Sequence, residues 1–130
     1  MKAVIQNEFG NSSVLNYSNI EKPKIDENEV LIRTAYTSVN YADIKNRSGN
    51  KDKGNFPMIL GLDMAGTVEE VCGNSPFSIG DRVIAFPKYG SYAEYVVAKE
   101  SLVYKIPDSV SFEDAAAFPT VAILSYILKH

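Results

Sequence analysis

Asn40-Tyr41-Ala42-Asp43-Ile44-Lys45-Asn46-Arg47-Ser48-Gly49, followed shortly by Pro57-Met58-Ile59-Leu60-Gly61-Leu62-Asp63-Met64-Ala65-Gly66-Thr67-Val68, are the most telling runs of this chain. The first reads as a short, polar, capped helix. Asn40 and Asp43 stand in the N-cap and N3 relation: Asn40 can accept an N–H of the first turn, and Asp43 sits by the positive helix end. Tyr41 and Lys45 lie four apart and share a face. Asp43 and Arg47 have the same spacing and can pair as surface ions. The second run reads as an extended entry into a strand over 64–71, with Gly66 allowing a close backbone approach.

Outward from these runs the pattern is one of short strands and frequent turns. Residues 1–7 alternate Met1, Ala3, Ile5 against Lys2, Val4, Gln6, as a half-buried strand does. A second strand is expected over 14–21, broken by Pro23, and Asp26-Glu27-Asn28 is a turn. The strongest strand signal covers 29–39, with Val30, Ile32 and Thr34 on one face and Leu31, Arg33 and Ala35 on the other. Further strands are expected in 79–85 after a tight turn, in the alternating 91–98, and in 102–106. Ser111 is a good N-cap, with Asp114 three residues on, for a helix through Ala117; Pro119-Thr120 opens a last helix. The fold class is mainly β, a distorted barrel or sandwich.

The 130 residues suffice for one domain with a core, and 45% hydrophobic against 22% charged is an ordinary globular balance. Thirteen basic and sixteen acidic residues give a net charge of −3 without a Lys/Arg run, which argues against a nucleic-acid partner. No apolar run reaches spanning length and the N-terminus is quickly polar, so neither a membrane nor an export signal is expected, and the protein reads as cytoplasmic. Cys72 is the only cysteine and His130 the only histidine. That excludes an internal disulfide framework, a Cys/His zinc spacing and an ordinary Ser-His-Asp triad. Cys72 itself reads as a small buried hydrophobe.

Two readings of 40–47 stay open on the residues alone. One is capping plus a surface ion pair. The other is a modest polar pocket in which Lys45 holds an anion or polarises a carbonyl and Asn40 donates to a carbonyl or carboxamide. Asp63 pairs with an arginine such as Arg47 on the structural reading. Thr120 has its own bland reading as a helix N-cap. With no nucleophile or histidine base in view, any chemistry needs a cofactor to supply the reactive atom.

The order and spacing of the motifs resemble the zinc-independent quinone and enone reductases of the medium-chain dehydrogenase/reductase family. Asn-x-x-Asp-x-x-x-Arg-x-Gly matches at Asn40, Asp43, Arg47 and Gly49, and Gly-x-Asp-x-Ala-Gly at Gly61, Asp63, Ala65 and Gly66. Gly80-Asp81-Arg82-Val83, Tyr92-Ala93-Glu94-Tyr95, Ala115-Ala116 and Pro119-Thr120-Val121-Ala122 continue the match. The resemblance implies a GroES-like, partly open β-barrel over 1–119, with 120–130 starting the helix into a nucleotide-binding Rossmann domain that is missing from this chain. It implies hydride transfer from NADPH to a quinone or an α,β-unsaturated carbonyl, an electron-poor small molecule. Asn40 and Thr120 would lie against the nicotinamide. Tyr41, Asp43, Asp63 and Lys45 would border the substrate cleft, with Asn40 and Lys45 catalytic. A lysine at 45 looks more like the enone branch, where it stabilises an enolate. Zinc-dependent relatives carry Cys and His-Glu where this chain has Asn40 and Leu62-Asp63, so no zinc is expected.

No Gly-x-Gly-x-x-Gly occurs in the chain, so the body of a dinucleotide has no evident site. Residues 121–128 are apolar almost all round, which asks for partners on every side. They either sink into this domain's own core or lead to a second domain; the resemblance implies the latter, and a fragment that is inactive alone. The alternative from another class is a stand-alone, non-catalytic β-barrel binding or assembly module, with 121–130 packed fully against it. Substrate, NADPH against NADH and oligomeric state are not readable.

Overall fold

A computed structural model describes residues 1–49 and 55–117. Thr120 and the expected last helix lie outside the described residues. The described elements form two antiparallel sheets with short helices at their margins. The smaller sheet has the order β2-β1-β4, from β1 (Lys2–Gln6), β2 (Asn16–Asn19) and β4 (Met58–Ile59). The larger has the order β7-β3-β5-β6-β8, from β3 (Glu29–Thr37), β5 (Met64–Val71), β6 (Arg82–Ala85), β7 (Tyr95–Lys99) and β8 (Val103–Lys105). A bridge between Ala3 and Ala93, with Val4 N–H on Tyr92 O and Glu94 N–H on Lys2 O at 2.9 Å each, stitches the sheets together along one side. The result is the mainly β, partly open GroES-like architecture, not a closed barrel.

The core lies mainly on the larger sheet: Val30, Ile32, Met64, Val68, Val83, Ala85, Val96, Ala98 and Val103 are buried together. A second cluster joins Ala65, Ile84 and Ala116, and brings α2 (Phe112–Ala117) onto the sheet's other face. That second covering explains where the expected alternation fails. Val30, Leu31 and Ile32 of β3 are buried in succession, as are Val96, Val97 and Ala98 of the edge strand β7, because both faces of these strands are shielded. In β1 the buried residues are Ala3 and Gln6, not one alternating set. Gln6 is buried because its Nε2 donates to the Glu8 and Arg47 carbonyls at 3.3 Å, tying the strand end to the helix after β3.

Several boundaries differ from expectation. Ser12–Val14 is a one-turn 3-10 helix capped by Asn11, so β2 starts only at Asn16. Residues 91–94 carry only the isolated Ala93 bridge and scattered backbone bonds, not a ladder, leaving β7 to begin at Tyr95. Leu102 closes a 3-10 turn (Glu100–Leu102) instead of opening β8. Cys72 is half-buried. By contrast β5 spans 64–71 as expected, and Gly66 does what the sequence asks of it: a Cβ there would lie 2.1 Å from the Arg33 carbonyl oxygen. β3 and β5 shift register beside this glycine, between Thr34 and Tyr36. Ser111 caps α2, its Oγ accepting the Asp114 N–H at 3.1 Å.

Candidate active site

α1 (Tyr41–Ser48) follows β3 after Ser38, Val39 and Asn40. Asn40 is its extended N-cap and Gly49 its left-handed C-cap, at φ 87°. The expected capping box forms, with Asn40 N–H on Asp43 Oδ2 at 2.9 Å. The expected Asp43–Arg47 ion pair does not. Asp43 is 2% exposed and turned inward, where it also accepts the Gly61 N–H at 3.1 Å and the Tyr92 hydroxyl at 3.0 Å. Arg47 instead donates Nε to the Gly10 carbonyl at 3.2 Å. A carboxylate with three donors inside the fold is worth more as an internal tie than as one half of an exposed pair.

Asp63, 1% exposed, makes a second tie. Its Oδ1 accepts Ser38 Oγ at 2.6 Å, and its backbone carbonyl accepts Thr37 Oγ1 at 2.8 Å. Thr37 has then committed its hydrogen, so the 2.6 Å contact with Ser91 Oγ runs from serine to threonine. Gly61 leaves room for this chain: at φ 114° a Cβ there would stand 2.0 Å from Ser91 Oγ. Burial, then the charge of Asp43, pushes the Tyr92 phenol far above its ordinary range, so Tyr92 acts here as a neutral donor.

The two ties fix one side of α1 and leave the other available. Tyr41 is 72% exposed, and Lys45 Nζ stands 4.9 Å from its ring centroid, so the expected shared face is real. Asn40 Nδ2 reaches Ser38 Oγ at 3.5 Å. Tyr41 and Lys45 thus meet on one face, Asn40 caps the same helix next to Tyr41, and Asp43 and Asp63 are buried. Thr120 lies outside the described residues. Ser38, Thr37, Ser91 and Tyr92 escaped the reading of the sequence as site residues. The only hint was a pair of small hydroxyl residues just before a helix cap, because their partners are 25 to 54 residues distant.

A cavity of about 890 Å³ opens elsewhere, walled by Ile20, Pro23, Met58, Ile59, Tyr95 and Val97 among others, and Asn40, Tyr41 and Lys45 do not line it. Among the described residues no three His, Cys, Asp or Glu side chains converge as metal ligands, and no helix is long and apolar enough to cross a membrane.

Residues 26–108 match the model of the alcohol dehydrogenase GroES-like domain. The mouse synaptic vesicle membrane protein VAT-1 homolog-like is 37% identical over 98% of this chain, and human quinone oxidoreductase 39% identical over 90%. The chain spans about a third of the length of these curated relatives, 31% and 37% respectively. The crystal structure of human VAT-1 homolog-like protein superposes with a TM-score of 0.90 at 37% identity, over 98% of this chain and 42% of that one. Escherichia coli quinone oxidoreductase complexed with NADPH gives 0.89 at 26% identity, over 98% and 40%. With the two-sheet fold, the capped helix after β3, Gly61 before β5 and Gly66 within it all in their places, the chain belongs to the alcohol dehydrogenase GroES-like domain family, and quinone oxidoreductases are among the proteins it is similar to.

Proposed function

We propose that this chain is the catalytic portion of a cytoplasmic, zinc-independent oxidoreductase that moves a hydride from NADPH to a quinone or an α,β-unsaturated carbonyl compound. The observation that carries the reading is the division of labour around α1: Asp43 and Asp63 are consumed by internal ties, while Asn40, Tyr41 and Lys45 keep capacity for a ligand. The fit to NADPH is partial. Asn40's amide suits the carboxamide end of a nicotinamide, but a chain without Gly-x-Gly-x-x-Gly has nothing for the pyrophosphate. A Rossmann domain reached through 120–130 would supply the remainder, and the 130 residues alone would be inactive. Zinc independence follows from donor chemistry, since an amide at Asn40 and an isobutyl group at Leu62 are poor zinc ligands.

The bound dinucleotide supplies the hydride. As it reaches the β-carbon of an enone, the C=C electron pair moves toward the carbonyl and leaves negative charge on oxygen. Lys45 offsets that charge, and the exposed ring of Tyr41 keeps its ammonium near the cleft. The enolate carbon then takes a proton from solvent. In the chain extended by the coding sequence beyond His130, Lys45→Met is expected to lower kcat/KM for an enone about 10²-fold and to spare quinone reduction more. Equal loss on both substrates removes the enone assignment. A coding sequence with no glycine-rich βαβ unit past His130 removes the reading as a whole.

A further inference from the structure

An asparagine amide has a donor end and an acceptor end, and the way round it sits decides what it can bind. Here Asp63 decides it, acting through Ser38. Ser38 Oγ gives its one hydrogen to Asp63 Oδ1 at 2.6 Å. Only lone pairs then remain for its neighbour, so the Asn40 atom 3.5 Å away has to be the donor, Nδ2. The oxygen of the same amide is left on the side of the first turn of α1, in the capping-box position, where the Asp43 N–H bonds the Asn40 backbone carbonyl at 2.9 Å. Asp63 cannot drift, because Thr37 holds its backbone carbonyl at 2.8 Å and Ser91 in turn donates to Thr37.

We propose that Ser38 and Asp63 are positioning residues that lock the Asn40 amide nitrogen-out, so that its second Nδ2 hydrogen is what the cleft offers. The site then selects a ligand group that brings a carbonyl oxygen to Asn40, and disfavours one that brings an N–H. The consequence for a nicotinamide rests on the function proposed above; the orientation itself does not.

In the 15N-labelled chain, nuclear Overhauser contacts are expected from the Asn40 Nδ2 protons to Ser38 Hβ. Contacts from those protons to the Asp43 backbone N–H, without the Ser38 contact, overturn the proposal. Ser38→Ala should shift both Asn40 side-chain signals toward those of a free asparagine amide, and Ser38→Thr should restore them. Unmoved signals in a folded Ser38→Ala chain also overturn it. If that variant does not fold, the contacts in the unmutated chain decide alone. In the chain extended by the coding sequence beyond His130, NADPH at millimolar concentration separates the two claims. A locked amide that ignores NADPH upholds the relay and counts against the cofactor reading; a locked amide whose Nδ2 signal moves upholds both.

Discussion

Tyr92 shows how one side chain can hold a site it does not enter. Its hydroxyl is one of three donors on Asp43, and its backbone is pinned by the Leu60 carbonyl on one side and the Val4 N–H on the other. Tyr92→Phe leaves a buried carboxylate one donor short, which costs about 1.5–3 kcal/mol, read as a lower midpoint in urea. The pH dependence has a definite sign. The folded chain raises the Tyr92 pKa, so its contribution is complete below the unfolded value of about 10 and is lost as the pH climbs from there toward the folded value. Unfolding measured above about pH 10 should therefore show a steeper alkaline loss in the unmodified chain than in Tyr92→Phe. Very little of this was legible. The i to i+3 relation of Asn40 and Asp43 is local and could be read; Asp43 was wrongly given to Arg47 because the choice between an exposed partner and three buried donors depends on contacts across the fold.

At the scale of elements, α1, α2 and β5 match their expected positions, while strand edges and the two 3-10 turns do not. α1, α2 and β5 carry their own signals: an N-cap with its N3 partner, a serine cap, a glycine at close approach. β2 and β7 came out shorter than their apolar patterns, because ladder pairing follows the path of the partner strand and not side-chain alternation: β7 stops pairing at Tyr95 opposite Arg33, although β3 runs on to Thr37. Gly66 tests the β3–β5 contact most directly. Its backbone is free of positive φ, so the cost of Gly66→Ala is purely steric: a Cβ 2.1 Å from the Arg33 carbonyl oxygen forces two central strands apart. A destabilisation of about 1–3 kcal/mol or more is expected. Amide exchange should quicken along both β3 and β5; acceleration confined to the loops would contradict this account. Ser111→Ala at α2 should cost about 1 kcal/mol in thermal unfolding, and leave the exchange of β3 unchanged.

For the whole molecule, one ion pair connects the start of β3 to the loop after β6. Lys88 Nζ lies 2.8 Å from Glu29 Oε2, whose side chain is 7% exposed. The hydrogen bond from Lys88, aided by the Asp26 N–H, holds the Glu29 carboxyl below its ordinary value. Its contribution is thus fully present above about pH 4.3, the unfolded value, and is lost as the pH falls through the folded one. Glu29→Gln should flatten the acid limb of the midpoint-against-pH curve; an unchanged limb would mean that the pair contributes nothing.

The sequence by itself determined the mainly β class, the capped helix after β3, the strand 64–71 with its obligatory glycine, and the family. These depend on local spacing: cap relations, turn residues and motif order act within a few positions, and physics at that range needs no knowledge of the rest. Only the tertiary structure decided that Leu31 and Val97 would be as buried as their neighbours, that Asp43 would turn inward to Tyr92, and that Ser38 would stand between Asp63 and Asn40. Each of those outcomes is set by a partner dozens of residues away, and burial, which makes a hydrogen bond to a carboxylate decisive, is a property of the assembled sheets and of no single stretch of chain.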